Sequence, residues 1–139
     1  MKSAWKISRR LVPLVLLGLL GGCEDLGPSG PKGPGLVRVG LSSPNGAEGS
    51  AVFEVTGNPG MGSITSPGAD VYYSHGLEGT RVVVILDTPG QIGFQIQVQE
   101  IRDLPSVVVT QVADGSDQLR SSLGGYDVEV FPVEDGGSE

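Results

Sequence analysis

From Gln91 to Gln99 the chain alternates without a break. Ile92, Phe94, Ile96 and Val98 stand at every second position, with Gln91, Gly93, Gln95, Gln97 and Gln99 between them. Successive side chains of an extended strand point to opposite faces, so this stretch has one apolar face and one polar face turned to water. A helical period of 3.6 residues would scatter the same four apolar residues around its axis. The segment predicts a half-buried strand running to Ile101, and a second layer on which its apolar face packs.

Shorter stretches repeat the pattern. Val37, Val39 and Leu41 share one face of a strand over 36–41, and Ala51, Phe53 and Val55 share one over 51–56. Strands are also expected over 69–74, with Val71 and Tyr73 on one side and Tyr72 on the other, and over 126–133. A short edge strand fits around Ile64. Val82 to Leu86 is an unbroken apolar run flanked by Arg81 and Asp87, and Val107-Val108-Val109 is a second one. Both predict burial on two faces, with the flanking charges guarding the first against aggregation. Ser42-Ser43-Pro44-Asn45-Gly46, Gly57-Asn58-Pro59-Gly60, Thr88-Pro89-Gly90 and Asp114-Gly115-Ser116-Asp117 supply turns. Residues 116–123 carry signals for one or two helical turns, with Ser116 as N-cap and Gly124 as stop. Glycine fills 23 of 139 positions, far above the usual ~7%, which favours turns over long helices. About seven short strands in 36–133 predict a single all-β domain, an antiparallel β-sandwich of Ig-like or jelly-roll-like kind.

The residues before this domain are of another kind. Lys2, Lys6, Arg9 and Arg10 precede an apolar run, Leu11 to Leu20, that Pro13 interrupts. Ten helical residues rise roughly 15 Å, about half a bilayer core, so a permanent transmembrane helix is not expected. Gly21 and Gly22 bring small residues to the point where a signal peptidase cuts, and Cys23, the single cysteine, follows. Basic start, apolar run and small-residue cut site make residues 1–22 a secretory signal. Residues 23–35 form a tether in which Gly-Pro-X recurs three times. Three triplets are too few for a collagen helix and suit a linker that is part polyproline II. Residues 134–139 are a polar tail.

Leu20-Gly21-Gly22-Cys23 resembles the lipobox of bacterial lipoproteins. That resemblance implies cleavage between Gly22 and Cys23, a diacylglycerol on the Cys23 thiol and an N-acyl chain on its new amino group. Two or three acyl chains, at roughly 0.8 kcal/mol per buried methylene, make release from a membrane negligible. Glu24 is not the aspartate that favours inner-membrane retention in such proteins. The expected location is the cell envelope, with the outer membrane favoured where the cell has one. Within 36–133 the order of Val37-Arg38-Val39-Gly40, Gly49-Ser50-Ala51-Val52-Phe53, Arg81-Val82-Val83-Val84-Ile85 and the alternating Ile92–Val98 strand is similar to cohesin-like domains. These are sandwiches that dock partner modules. The likeness implies a protein-docking role and carries over no contact residue.

Composition excludes some partners. With the signal removed, five basic residues face sixteen acids, a formal net charge of −11. Such a surface repels nucleic acid and anionic headgroups. With Cys23 acylated no thiol remains for a disulfide, so the core must be held by packing.

Catalytic chemistry is sparse. His75 is the one histidine, in a loop after Ser74, with nothing in sequence to orient a Ser-His pair. One His and an acylated Cys do not make a zinc or copper site. Asp114 and Asp117 are weak calcium candidates without the spacing of an EF-hand loop. Tyr72 and Tyr73 offer at most one sugar-stacking face, one being assigned to core and the other to surface. No enzyme and no cofactor beyond the covalent lipid are expected. A small envelope hydrolase is the remote alternative, and would need paired acids in a cleft. The expected role is a non-catalytic module that binds an envelope protein or glycan or fills a structural place. The two doubly apolar strands bear on this choice. Covered by the helical turn at 116–123 they are core; uncovered they form a docking strip.

Overall fold

The structure is a computed structural model that describes residues 32–57 and 60–133. Gly22, Cys23 and the rest of the signal, most of the tether and the tail at 134–139 lie outside the described residues.

Eight strands follow in chain order: β1 (Gly35–Ser42), β2 (Glu48–Thr56), β3 (Ile64–Thr65), β4 (Ala69–His75), β5 (Thr80–Gly90), β6 (Gly93–Val98), β7 (Ser106–Ala113) and β8 (Asp127–Pro132). They make two four-stranded antiparallel sheets, β3-β6-β1-β8 and β4-β5-β2-β7. The protein is a β-sandwich, and the described residues contain no helix.

The alternation does what the spacing predicts. Ile92, Phe94, Ile96 and Val98 are buried, as are Val37, Val39 and Leu41 of β1 and Ala51, Phe53 and Val55 of β2. These rows meet Val82 and Val84 of β5 and Val112 of β7 in one core. Phe53 and Phe94, one from each sheet, meet edge to face with centroids 5.0 Å apart, the geometry that aromatic quadrupoles favour.

Two irregularities set the faces. The β2–β7 register shifts between Val52 and Phe53. There Thr110 is the extra residue, and its hydroxyl donates to the Val52 carbonyl at 3.2 Å. The bulge lets Val109 and Val112, three apart, both turn inward. The β2–β5 register also slips between Glu48 and Ser50. Gly49 lies in that slip, where a Cβ would stand 2.4 Å from the Asp114 carbonyl oxygen. Only glycine permits that approach.

Three expectations need correcting. The alternating strand does not run to Ile101: β6 ends at Val98, and Ile101 lies in the turn that follows. Thr88-Pro89-Gly90 does not end β5, which runs on until Gly90 faces Glu48. Pro89 is tolerated there because the ladder is already irregular. Residues 116–123 form no helix. The Asp114 carboxylate accepts the N–H groups of Ser116 and Gln118 at 2.8 and 3.1 Å, Asp117 takes a left-handed φ of 59°, and Leu119 bridges back to Ala113. A side chain that caps its own turn outcompetes the helical ladder.

The chain is pinned from Gly33 onward. The Gly33 N–H donates to the Glu100 carboxylate at 3.1 and 3.2 Å, and the Ile101 N–H donates to the Gly33 carbonyl at 3.0 Å. The last residues of the tether therefore belong to the folded body, at the end where β6 finishes.

Candidate functional site

The outward face of β4-β5-β2-β7 is the first candidate. Register places Tyr72, Val83, Val52 and Gln111 in one row across the sheet, with Ser74, Arg81, Glu54 and Val108 in the next. Tyr72 is 60% exposed, Val108 54% and Ile85 43%, while Val83 and Val52 are half-buried. The doubly apolar strands thus keep an uncovered outer face, since the helical turn expected to cover it does not form. Arg81 and Glu54 cross the strip as an ion pair at 2.7 Å. Both are solvated, so the pair adds little stability and interrupts the apolar surface.

The second candidate is a buried carboxylate at the end of the sandwich away from Gly33. Glu48 opens β2 and is 1% exposed. Its Oε1 accepts the Ser43 hydroxyl at 2.7 Å and the Tyr126 hydroxyl in a short bond. Its Oε2 accepts Arg120 Nε at 3.1 Å and pairs with the same guanidinium at 3.0 Å. Asn45 Nδ2 donates to the Tyr126 oxygen at 2.9 Å, and Asp114 lies 3.8 Å from Arg120. Burial pushes the Glu48 carboxyl up. The hydrogen bonds from Tyr126, Ser43 and Arg120, with the Arg120 charge, outweigh burial and hold it below the usual glutamate range. The hydrogen bond to Glu48 raises the Arg120 guanidinium in turn.

A cleft of about 370 Å³ opens beside this group, lined by Leu41, Ser43, Glu48, Gly90 and Ile92 among others. Both oxygens of Glu48 are engaged and its proton affinity is lowered, the opposite of what proton abstraction near neutral pH needs. The network ties the β1–β2 and β7–β8 connections to the core.

The remaining sequence candidates are scattered. His75 Nδ1 lies 2.8 Å from the buried Thr80 hydroxyl, and its ring meets Tyr73 edge to face at 5.5 Å. Ser74 is on the opposite face of β4, so no Ser-His pair exists. Tyr72 and Tyr73 do point to opposite sides, yet both are exposed, because β4 is an edge strand. Asp114 uses one oxygen to cap its turn and turns the other toward Arg120, while the Asp117 N–H donates to the Asp114 carbonyl at 3.1 Å. The N–H groups of Ser116 and Gln118 hold the Asp114 carboxyl low. Among the described residues no three His, Cys, Asp or Glu side chains gather to hold a metal.

Sequence reasoning missed Glu48, Arg120 and Tyr126 as a group. Glu48 sits among Gly46, Ala47 and Gly49, where an acid reads as part of a turn. Its partner Arg120 is 72 positions away, and no periodicity links the two. Comparisons with family models, with curated proteins and with solved structures yield no match to this chain.

Proposed function

We propose that this chain is a lipid-anchored envelope lipoprotein whose β-sandwich is a non-catalytic binding or structural module. The observation that carries the reading is Leu20-Gly21-Gly22-Cys23, placed directly after a basic start and a ten-residue apolar run. Acylated Cys23 is the membrane contact. Nine residues, Glu24 to Lys32, then separate it from the first pinned residue, Gly33. Fully extended as polyproline II, at ~3.1 Å per residue, a spacer of that length spans at most roughly 28 Å. β1 leaves the pinned end, so the Glu48 end of the sandwich is the one farther from the attachment point.

Replacing Cys23 with serine tests the anchor. The wild-type chain is expected in the membrane fraction of its own cells, shifted to detergent on phase separation. Cys23→Ser is expected to lose both properties. A Cys23→Ser chain that stays with membranes as the wild type does would refute the lipid anchor.

A second reading, cohesin-like protein docking, is favoured by the outer strip of Tyr72, Ile85 and Val108. Three exposed apolar side chains on one sheet face are what a protein partner would cover.

A further inference from the structure

The opposite sheet carries a feature that the core does not explain. Gly40 lies mid-strand in β1, paired with Gly93 of β6 on one side and Glu129 of β8 on the other. These three residues face outward, because Val39 and Leu41 face the core. Gly93 must be glycine, since a Cβ there would stand 2.9 Å from the Val39 carbonyl oxygen. Gly40 has no such reason. A Cβ on it would meet nothing within 4 Å, and its φ is not left-handed. Glycine inside a strand costs stability and often marks a bulge, a tight bend or a close approach to the backbone; the β1 ladders run through Gly40 without a register shift, which leaves close approach.

The space above Gly40 is a cleft of about 430 Å³, within the roughly 300–1,000 Å³ range of small-ligand sites. Its walls include Arg38, Gln91, Gln95, Ser66, Glu129 and Phe131. The Ser66 hydroxyl donates to the Gly93 carbonyl at 2.6 Å and fixes one side. Phe131 is 42% exposed. The side chains of Arg38, Gln91, Gln95 and Glu129 make no hydrogen bond or ion pair with another described residue. The cleft therefore offers unengaged donors, unengaged acceptors and one aromatic ring around a bare floor.

We infer that this cleft binds a neutral oligosaccharide, laid over Gly40 and Gly93 with one sugar face on Phe131. The inference rests on the binding-module reading and adds the ligand class. Sugar hydroxyls both donate and accept, which suits amides beside a guanidinium and a carboxylate. An anionic ligand would meet Glu129 and a cationic one Arg38. A peptide that adds as a strand would pair along the outer edge of β8 rather than lie over Gly40, because β1 is hydrogen-bonded on both sides here.

The test uses the full chain in detergent micelles, titrated with neutral gluco-, manno-, galacto-, xylo- and N-acetylglucosamine oligosaccharides. At about 10 mM each would fill a site of Kd ~1 mM to about nine-tenths. The expected result is that one series shifts the amide resonances of Gly40 and Gly93. Gly40→Val, which fills open space, is expected to fold normally and weaken that binding about tenfold or more. Phe131→Ala is expected to weaken it likewise, whereas Tyr72→Ala on the other sheet leaves it unchanged. No shift with any series overturns the inference, and so does binding that Gly40→Val leaves intact. A peptide that shifts the same amides when no sugar does would overturn the ligand class and leave the binding module standing. A Cys23 that carries no lipid would remove the anchor and leave this result untouched.

Discussion

Glu48 is the residue on which one end of the sandwich turns. An acid this deeply buried is tolerated because both its oxygens are satisfied and one faces a guanidinium. Glu48→Gln keeps the shape and hydroxyl contacts but sets an amide N–H₂ against Arg120. It is expected to lower unfolding stability by about 1–3 kcal/mol at neutral pH, read by urea titration. The acid dependence follows from the direction of the shift. The folded carboxyl titrates below the unfolded value of about 4.3. Its contribution is complete above that unfolded value and disappears as pH falls through the folded one. Asp114 and Glu100, held low by backbone N–H groups, act in the same direction. The wild type should therefore weaken steeply below about pH 4, and the gap between it and Glu48→Gln should narrow there. A gap that stays constant down to pH 3 would show that the carboxylate charge is not what holds this end.

Among the elements, strands were legible wherever period two was clean. Ile92 to Val98, Val37 to Leu41 and Ala51 to Val55 each read directly as a core row, because one buried face leaves a periodic trace in a single sequence. The bulge at Thr110 was not legible. It exchanges an inward position for an outward one, so Val109 and Val112 break the period that would have identified them. The apolar runs misled for the opposite reason. Val83, Ile85 and Val108 are as apolar as core residues, but the rows that register gives them face outward. The turn at 114–119 misled because Ser116 and Gly124 are sound helix signals that an Asp114 cap overrides. The two kinds of apolar residue should separate on substitution. Phe94→Ala empties a site between the sheets and should cost about 3–5 kcal/mol. Val108→Thr on the outer face should stay within about 0.5 kcal/mol of wild type. Denaturant midpoints of the two variants decide it, and a large loss at Val108 would mean that the strip is covered in solution.

At the scale of the molecule, Gly33, Glu100 and Ile101 fix where the spacer enters the fold. The Val133 N–H donates to the Leu36 carbonyl at 2.8 Å, so the tail leaves from the same end. Both chain connections thus gather at one end, and the Glu48 network and the Gly40 cleft lie toward the other. For a domain anchored as proposed, this polarity would leave the Glu48 end clear of the spacer and the tail. The cleft itself could not be found from sequence, since only the pairing of β1 with β6 and β8 brings Gly40, Gly93, Glu129 and Phe131 together. The proposed anchor, in contrast, rests entirely on local sequence. Its most direct test is mass spectrometry of the mature N-terminus from the protein's own cells. The account predicts a chain that starts at Cys23, with a diacylglyceryl thioether on its sulfur and an acyl group on its amine. A chain that retains residues 1–22, or a Cys23 with a free thiol, would contradict it.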